Sequence, residues 1–390
     1  MINPQIFLFV ALILIATKAF RLITQRAHLP KVVGALVAGI VLGPTALNIV
    51  EPNEAIHLLA EIGVVLLLFT AGLETDFKQL RDGLKSSLLI GVLGIIAALG
   101  GGFAISLLLG KPMFESFFIG VVIASSSTSI TVEALHEIGK FKTKSGTSIM
   151  GAALFEDILV ITTLAIVLGV GSNSFTVSSI GIILLKIIAF FICAIVSGLF
   201  LRRLLEYLYE RFGEKTRLPV FALAYCFIMA YLAEQFGLSD ILGAYIAGVV
   251  LCNTRCVEYL DTQINTLSYL FFTPIFIASI GLRTSFLNFT NEAILFVTLL
   301  ATVAIFSKSI GNTIAAKISG FTNRESMQVS VGLMTRGEVS IVIASVGIYE
   351  GIFDPLFLSS ITVVIIATTL IAPVLLKLVY KNNSLTSDSL

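Results

Sequence analysis

Charge is scarce in this 390-residue chain. Asp, Glu, Lys and Arg together make up 13% of it, against roughly one quarter in a soluble globular domain. A soluble fold is therefore excluded, and a net charge of +1 offers no basic field for nucleic acid. Trp is absent, which leaves Tyr and Phe to form any belt at a membrane–water interface. The four cysteines, Cys193, Cys226, Cys252 and Cys256, fall in or at the ends of apolar segments and show no paired spacing in loops. No disulfide framework follows, and no His or carboxylate joins Cys252 and Cys256 at metal-ligand spacing. The phosphate-binding pattern GxxxxGK[ST] is missing, so an ATP-driven pump is excluded. No enzyme activity and no cofactor are expected.

What the chain has is apolar sequence: 57% of its residues are hydrophobic. Segments of ~17–25 apolar residues are long enough to cross a bilayer as helices. Thirteen are expected, at 5–23, 32–48, 56–73, 87–109, 114–136, 147–170, 178–201, 218–236, 239–253, 264–282, 291–314, 325–348 and 355–379. The fold class is all-α integral membrane. Nothing before or after the first segment resembles a cleaved signal peptide. Lys and Arg in short loops mark the cytoplasmic side. Of the 25 such residues, 19 fall in alternate connections, and only Lys111 and Arg283 fall in the connections between. The expected topology puts the N-terminus outside and the C-terminus in the cytoplasm.

An internal repeat runs through this pattern. Residues 33–43 (VGALVAGIVLG) read against 242–252 (LGAYIAGVVLC), and 72–77 (GLETDF) against 281–286 (GLRTSF), both at an offset of 209 positions. The paired segments are seven apart, an odd number, so the two copies cross the membrane in opposite senses. Inverted repeats of about 5–170 and 218–379, joined by a linker helix at 178–201, are expected in one transmembrane domain of 1–390. Secondary transporters use such repeats to build two interconverting states around a site on interrupted helices. The same offset pairs Ser125 to Ser129, in the fifth segment, with Met334-Thr335-Arg336-Gly337-Glu338 in the twelfth. Polar interruptions of this kind suit unwound helix lining a cavity, although small hydroxyl residues also serve plain helix packing.

Three intramembrane charges then need a role. Glu156 and Asp157 stand side by side in a run otherwise apolar enough to span a bilayer, and Lys308 interrupts another. A stranded charge costs at least ~2.5–3.5 kcal/mol at the bilayer centre, so such residues mark ion or proton sites by default. At 1.5 Å per residue Asp157 lies ~15 Å deep and Lys308 ~9 Å deep from the cytoplasmic side, and a lysine stem leaning toward its helix N-terminus points at the carboxylates. Lys308 is the natural partner of one acid, leaving the other to face a pathway. A hard monovalent cation wants oxygen ligands, which a carboxylate with the hydroxyls of Ser126, Ser127, Thr128 and Ser129 supplies. If a carboxylate takes either a cation or H⁺, and only a loaded site crosses, the outcome is exchange. Arg336, Gly337 and Glu338 are expected to brace the second interruption. His136, between Glu133 and Glu137 near a cytoplasmic end, either senses pH or sits on a solvated helix end.

The stretches 66–74 (LLLFTAGLE), 126–130 (SSTSI), Glu156-Asp157, Lys308 and 335–338 (TRGE) resemble those of monovalent cation/proton antiporters of the NapA and Kef kind, and the likeness covers essentially all thirteen segments. The resemblance implies a homodimer with a dimerisation scaffold and a core, the latter drawn from helices within 56–170 and 264–379. It also implies two broken, crossed helices in an NhaA/NapA-like antiporter fold, an elevator movement and a role in pH homeostasis. On this sequence it implies Asp157 as the cation and proton carrier, ligands from Thr128 and its neighbours, and Lys308 paired with Glu156 until a cation displaces it. Glu156 stands where sodium-exporting relatives have Asp and potassium-efflux relatives Gln, and it favours Na⁺ or Li⁺ over K⁺. Relatives of the Kef kind continue into a cytoplasmic nucleotide-binding domain that is not expected here, so gating of that sort would need a separate subunit. The expected function is Na⁺(Li⁺)/H⁺ antiport in a prokaryotic plasma membrane. K⁺/H⁺ antiport is the near alternative, and a cation channel or an organic-anion symporter the distant ones.

Overall fold

The computed structural model describes residues 4–27, 29, 31–171, 177–212, 218–283, 291–353 and 356–381, and among them there is no β-strand. The helices are α1 (Gln5–Arg26), α2 (Lys31–Leu42), α3 (Glu54–Leu73), α4 (Phe77–Asp82), α5 (Leu84–Leu108), α6 (Met113–Ala124), α7 (Thr128–Glu137), α8 (Lys144–Gly171), α9 (Val177–Phe212), α10 (Leu218–Gln235), α11 (Asp240–Leu251), α12 (Val257–Leu267), α13 (Thr273–Leu282), α14 (Asn291–Ile318), α15 (Asn323–Gly332), α16 (Glu338–Tyr349) and α17 (Leu356–Lys381). Among the described residues ten helical stretches are long and apolar enough to cross a membrane, and three shorter apolar helices lie at Lys31–Leu42, Asp240–Leu251 and Val339–Ile348. This is a multi-pass membrane protein.

Local chemistry sets many helix starts. Asn53 accepts from the Ile56 N–H at 3.0 Å to begin α3. Asp76 accepts from Lys78 and Gln79 to begin α4. Thr322 and Glu325 close a reciprocal capping box at α15. Each satisfies amide groups that a helix start leaves without partners.

Two elements depart from the sequence expectation. The segment at 264–282 is α12, one wide π turn at Ser268–Phe272, and α13. Pro274 at the start of α13 explains it, because proline lacks the N–H and crowds the carbonyl four residues back. The segment at 178–201 extends in α9 to Phe212, a helix of 36 residues. Its last part is charged and supported by Arg202 donating to Glu206 one turn on, at 3.1 Å.

Close packing is built on missing side chains. Helices α5 and α14 lie together through Gly101, where a Cβ would meet the Ser307 side chain at 2.6 Å, and Gly311, where it would meet the Leu93 backbone at 2.6 Å. Residues facing outward are apolar instead, with Phe200, Val196, Phe306 and Ile310 exposed, as a lipid-facing surface requires.

Candidate functional site

Both polar interruptions are breaks in helices, and they touch each other. Between α6 and α7, Ser125 to Ser127 leave helical geometry; between α15 and α16, Leu333 to Gly337 do. The Ser127 N–H donates to Thr335 O at 3.0 Å, and Thr335 Oγ1 returns a bond to Ser127 O. Ser126 Oγ donates to Leu333 O at 2.9 Å and Thr131 Oγ1 to Gly332 O at 2.7 Å, while the hydroxyls of Ser125 and Ser340 pair at 2.6 Å. Backbone groups freed by the breaks are thus satisfied inside the protein, the condition for non-helical chain at membrane depth. Gly337 is required sterically, since a Cβ there would lie 2.5 Å from Ser127 Oγ.

Arg336 is completely buried. Its Nη1 donates to the carbonyls of Met334 and Thr335, both at 3.2 Å, and to Leu333 at 3.5 Å, while Nη2 donates to Ala304 O at 2.6 Å. The guanidinium therefore caps the C-terminal end of α15, where partial negative charge accumulates. Thr368 and Thr369 on α17 bond its backbone N–H and carbonyl. Glu338 begins α16; its side chain lies outside the described residues.

Lys308, also fully buried, points from α14 at the end of α6. Its Nζ donates to Glu156 Oε2 at 2.8 Å, Ala124 O at 2.6 Å and Ser126 Oγ at 2.5 Å, which uses all three of its protons. Of the two adjacent acids, Glu156 is the one in the ion pair, at 0% exposure on both sides. Asp157 is 6% exposed and within electrostatic range of the same ammonium. Thr128 begins α7 beside Ser127, and the Ser127 and Ser129 hydroxyls lie 3.2 Å apart. The structure thus gathers Glu156, Asp157, Lys308, Ser126, Ser127, Thr128, Ser129, Arg336 and Gly337 around the two breaks. Several hydroxyls there are committed to joining the breaks. Thr131, Ser340, Thr368 and Thr369 do the same work and escaped the sequence reading; their signal is a hydroxyl in an otherwise apolar helix.

Two cavities approach from opposite ends. One of about 610 Å³ enters past His57, Glu61, Glu234 and Arg283 and reaches Gly337. The other, about 590 Å³, lies among Arg21, Lys31, Glu133, His136, Glu137 and Asp261, at the end where the basic loops gather. The three residues singled out at this second end each face a different element. Glu133 meets Arg21 of α1 at 3.5 Å. Glu137 accepts from the Lys31 and Val32 N–H groups at the start of α2, a natural anion position. His136 stacks on Phe141 and lies 3.6 Å from Glu74. Glu74, just past α3, has its pKa raised to about 7 by burial first and by the Asp261 carboxylate second, with Lys142 opposing. At the opposite end its repeat counterpart, Arg283, meets His57 Nδ1 at 2.7 Å.

Comparison with known proteins gives the family and the fold. The transmembrane region of the sodium/hydrogen exchanger family matches residues 8–381. The Na⁺/H⁺-K⁺ antiporter GerN of Bacillus cereus is 34% identical over 378 residues, covering 96% of each chain. A Na⁺/H⁺ antiporter of Enterococcus hirae is 33% identical, over 94% of this chain and 96% of its own. Among solved structures, the sodium proton antiporter MjNhaP1 from Methanocaldococcus jannaschii superimposes with a TM-score of 0.73 at 16% identity, over 97% of this chain and 96% of that one.

Proposed function

Because the chain belongs to the sodium/hydrogen exchanger family, we propose that it exchanges Na⁺ for H⁺ across the membrane, with Asp157 carrying cation or proton in competition. One observation carries the site assignment: a buried ammonium, Lys308, held by Glu156 and by the end of α6, beside Asp157 and against two joined helix breaks. With Asp157 protonated, Lys308 stays on Glu156. An arriving Na⁺ displaces the Asp157 proton and competes with the ammonium for Glu156, and Thr128 and the hydroxyls of Ser126, Ser127 and Ser129 complete its oxygen shell. A loaded or protonated site is free to cross, whereas an empty, charged one is held back by desolvation. Li⁺ is carried as a second substrate. K⁺/H⁺ exchange is the second reading, suggested by the K⁺/H⁺ antiporter 1 of Saccharomyces cerevisiae, which is 28% identical over 97% of this chain and 47% of its own.

Alternating access on this reading is an elevator movement of a core (α5 to α8 and α14 to α17) against a scaffold in a homodimer. Thirteen spans, two crossed broken helices and an inverted repeat belong to the same reading, and the repeat is supported by α2 and α11, which begin and end at positions 209 apart, 31 against 240 and 42 against 251. The contacts of Glu133, His136 and Glu137 with α1, α2 and the end of α3 are those such a movement must break, and we assign them the pH response. The N-terminus is placed outside and the C-terminus in the cytoplasm of a prokaryotic plasma membrane.

The test uses purified protein in sealed liposomes with an internal pH dye, given Na⁺, Li⁺ or K⁺ in turn, for the native chain and Asp157→Asn. Cation-driven proton movement lost in the variant supports the assignment, and the ion ranking separates the two readings. Proton movement that persists in Asp157→Asn removes Asp157 as carrier.

A further inference from the structure

Asn312 stands one turn beyond Lys308 on α14 and is fully buried. Neither its Oδ1 nor its Nδ2 has a hydrogen-bond partner, and Glu156 Oε1, the oxygen that Lys308 does not hold, has none either. Buried polar side-chain atoms are satisfied in the large majority of folded proteins, so three orphans close to the same ion pair call for a common cause.

Gly94 on α5 supplies it. A Cβ at that position would lie 2.1 Å from Asn312 Oδ1 and 3.1 Å from Glu156 Oε1. Both oxygens converge on the space left by one missing side chain, and they are no farther apart than those two distances joined end to end. Two acceptors meeting without a donor repel, yet an Asn amide carries two N–H donors on the other arm of the same plane. Half a turn of the amide puts Nδ2 where Oδ1 lies and aims an N–H at the carboxylate.

We propose that Asn312 is a positioning residue of the cation site: its Nδ2 donates to Glu156 Oε1 while Lys308 Nζ holds Oε2, and Gly94 is the gap in which they meet. The carboxylate is then gripped on both oxygens by two residues one turn apart on a single helix. Only Oε2 is left to pass between the ammonium and an arriving cation, so Glu156 is presented in one orientation. This inference rests on the reading of Glu156 and Lys308 as part of the transport site.

The experiment measures the KM for Na⁺ and the maximal exchange rate of the full chain in liposomes. Asn312→Leu, which keeps the shape and loses the donor, raises KM about ten- to a hundredfold, as expected for a hydrogen bond to a charged group, and changes the maximal rate less than about twofold. Asn312→Ser, which keeps a shorter donor, recovers most of the affinity. Gly94→Ala crowds the amide without touching its chemistry and raises KM as Asn312→Leu does, so the test survives a variant that fails to fold, with thermal unfolding in detergent as the check. An unchanged KM in Asn312→Leu, or an equal rise in Asn312→Ser, overturns the proposal. Lys308→Ala separates the two levels: if it leaves Na⁺ affinity and exchange untouched, the reading of the ion pair fails, whereas a responsive Lys308 beside an inert Asn312 overturns this inference alone.

Discussion

At the α6–α7 break the freed carbonyl of Ala124 is met by Lys308, 184 positions away on α14, and that same ammonium is shared with Glu156. At the α15–α16 break the carbonyls of Leu333, Met334 and Thr335 are met by Arg336, a residue of the break itself. Both breaks set a cation on the C-terminal end of the preceding half-helix, where the dipole favours it. The choice of cation differs in a way that matters. A guanidinium stays charged and holds several acceptors in a rigid fork, while an ammonium on a flexible stem exchanges partners. Arg336 has the properties of a brace and Lys308 those of a movable contact, although each sits at the end of the half-helix before a break.

The sharpest way to break that comparison is Arg336→Ala. It takes the guanidinium from four carbonyls, of which Leu333 and Thr335 keep the Ser126 hydroxyl and the Ser127 N–H, and costs about 3–5 kcal/mol, read as thermal unfolding in detergent. Native-like stability in this variant would end the view of Arg336 as a brace. Lys308→Ala is expected to cost less, about 1–3 kcal/mol, because Glu156 can take a proton instead of standing unpaired. Its exchange rate, however, falls at least about tenfold. A stability loss equal to that of Arg336→Ala, with exchange intact, would erase the distinction. Gly337→Ala forces a Cβ to 2.5 Å from Ser127 Oγ and is expected to cost about 1–2 kcal/mol, probing how tightly the two breaks are locked together.

The smallest effect lies away from the breaks, at Glu74. Its pKa is raised to about 7 from 4.5, so its contribution to stability is fully present below about 4.5 and is lost as pH rises through about 7. The groups around it are Asp261, Lys142, His136 and Asn265. Glu74→Gln should match the native chain at pH 5 and exceed it by about 1 kcal/mol at pH 8, discounted for partial solvent screening. A difference that grows toward acid pH instead would show that the pair with His136, and not burial, governs this carboxylate.

Much of the site was legible in the sequence because intramembrane polarity is rare enough to stand out. Glu156, Asp157, Lys308 and the two polar interruptions each break an apolar run, and the 209-residue offset ties the interruptions together before any coordinates. The partners of Arg336 were hidden, since they are backbone carbonyls and carry no residue identity. Asn312 is visible as a polar residue in an apolar run, but its meaning depends on Gly94, which α5 brings in from more than two hundred positions away. The π turn before Pro274 and the Glu137 contact with the start of α2 depend on how the backbone meets across distant segments, which hydropathy does not record.

The 36 residues of α9 make a rod of ~54 Å at 1.5 Å per residue, almost twice the ~30 Å of a bilayer's hydrocarbon. It has to lean steeply or carry its charged last turns, from Arg202 to Arg211, out into the headgroups and water. Its apolar stretch is enough to cross the bilayer, so the charged turns make a helical post whose arginines anchor the rod at the headgroups.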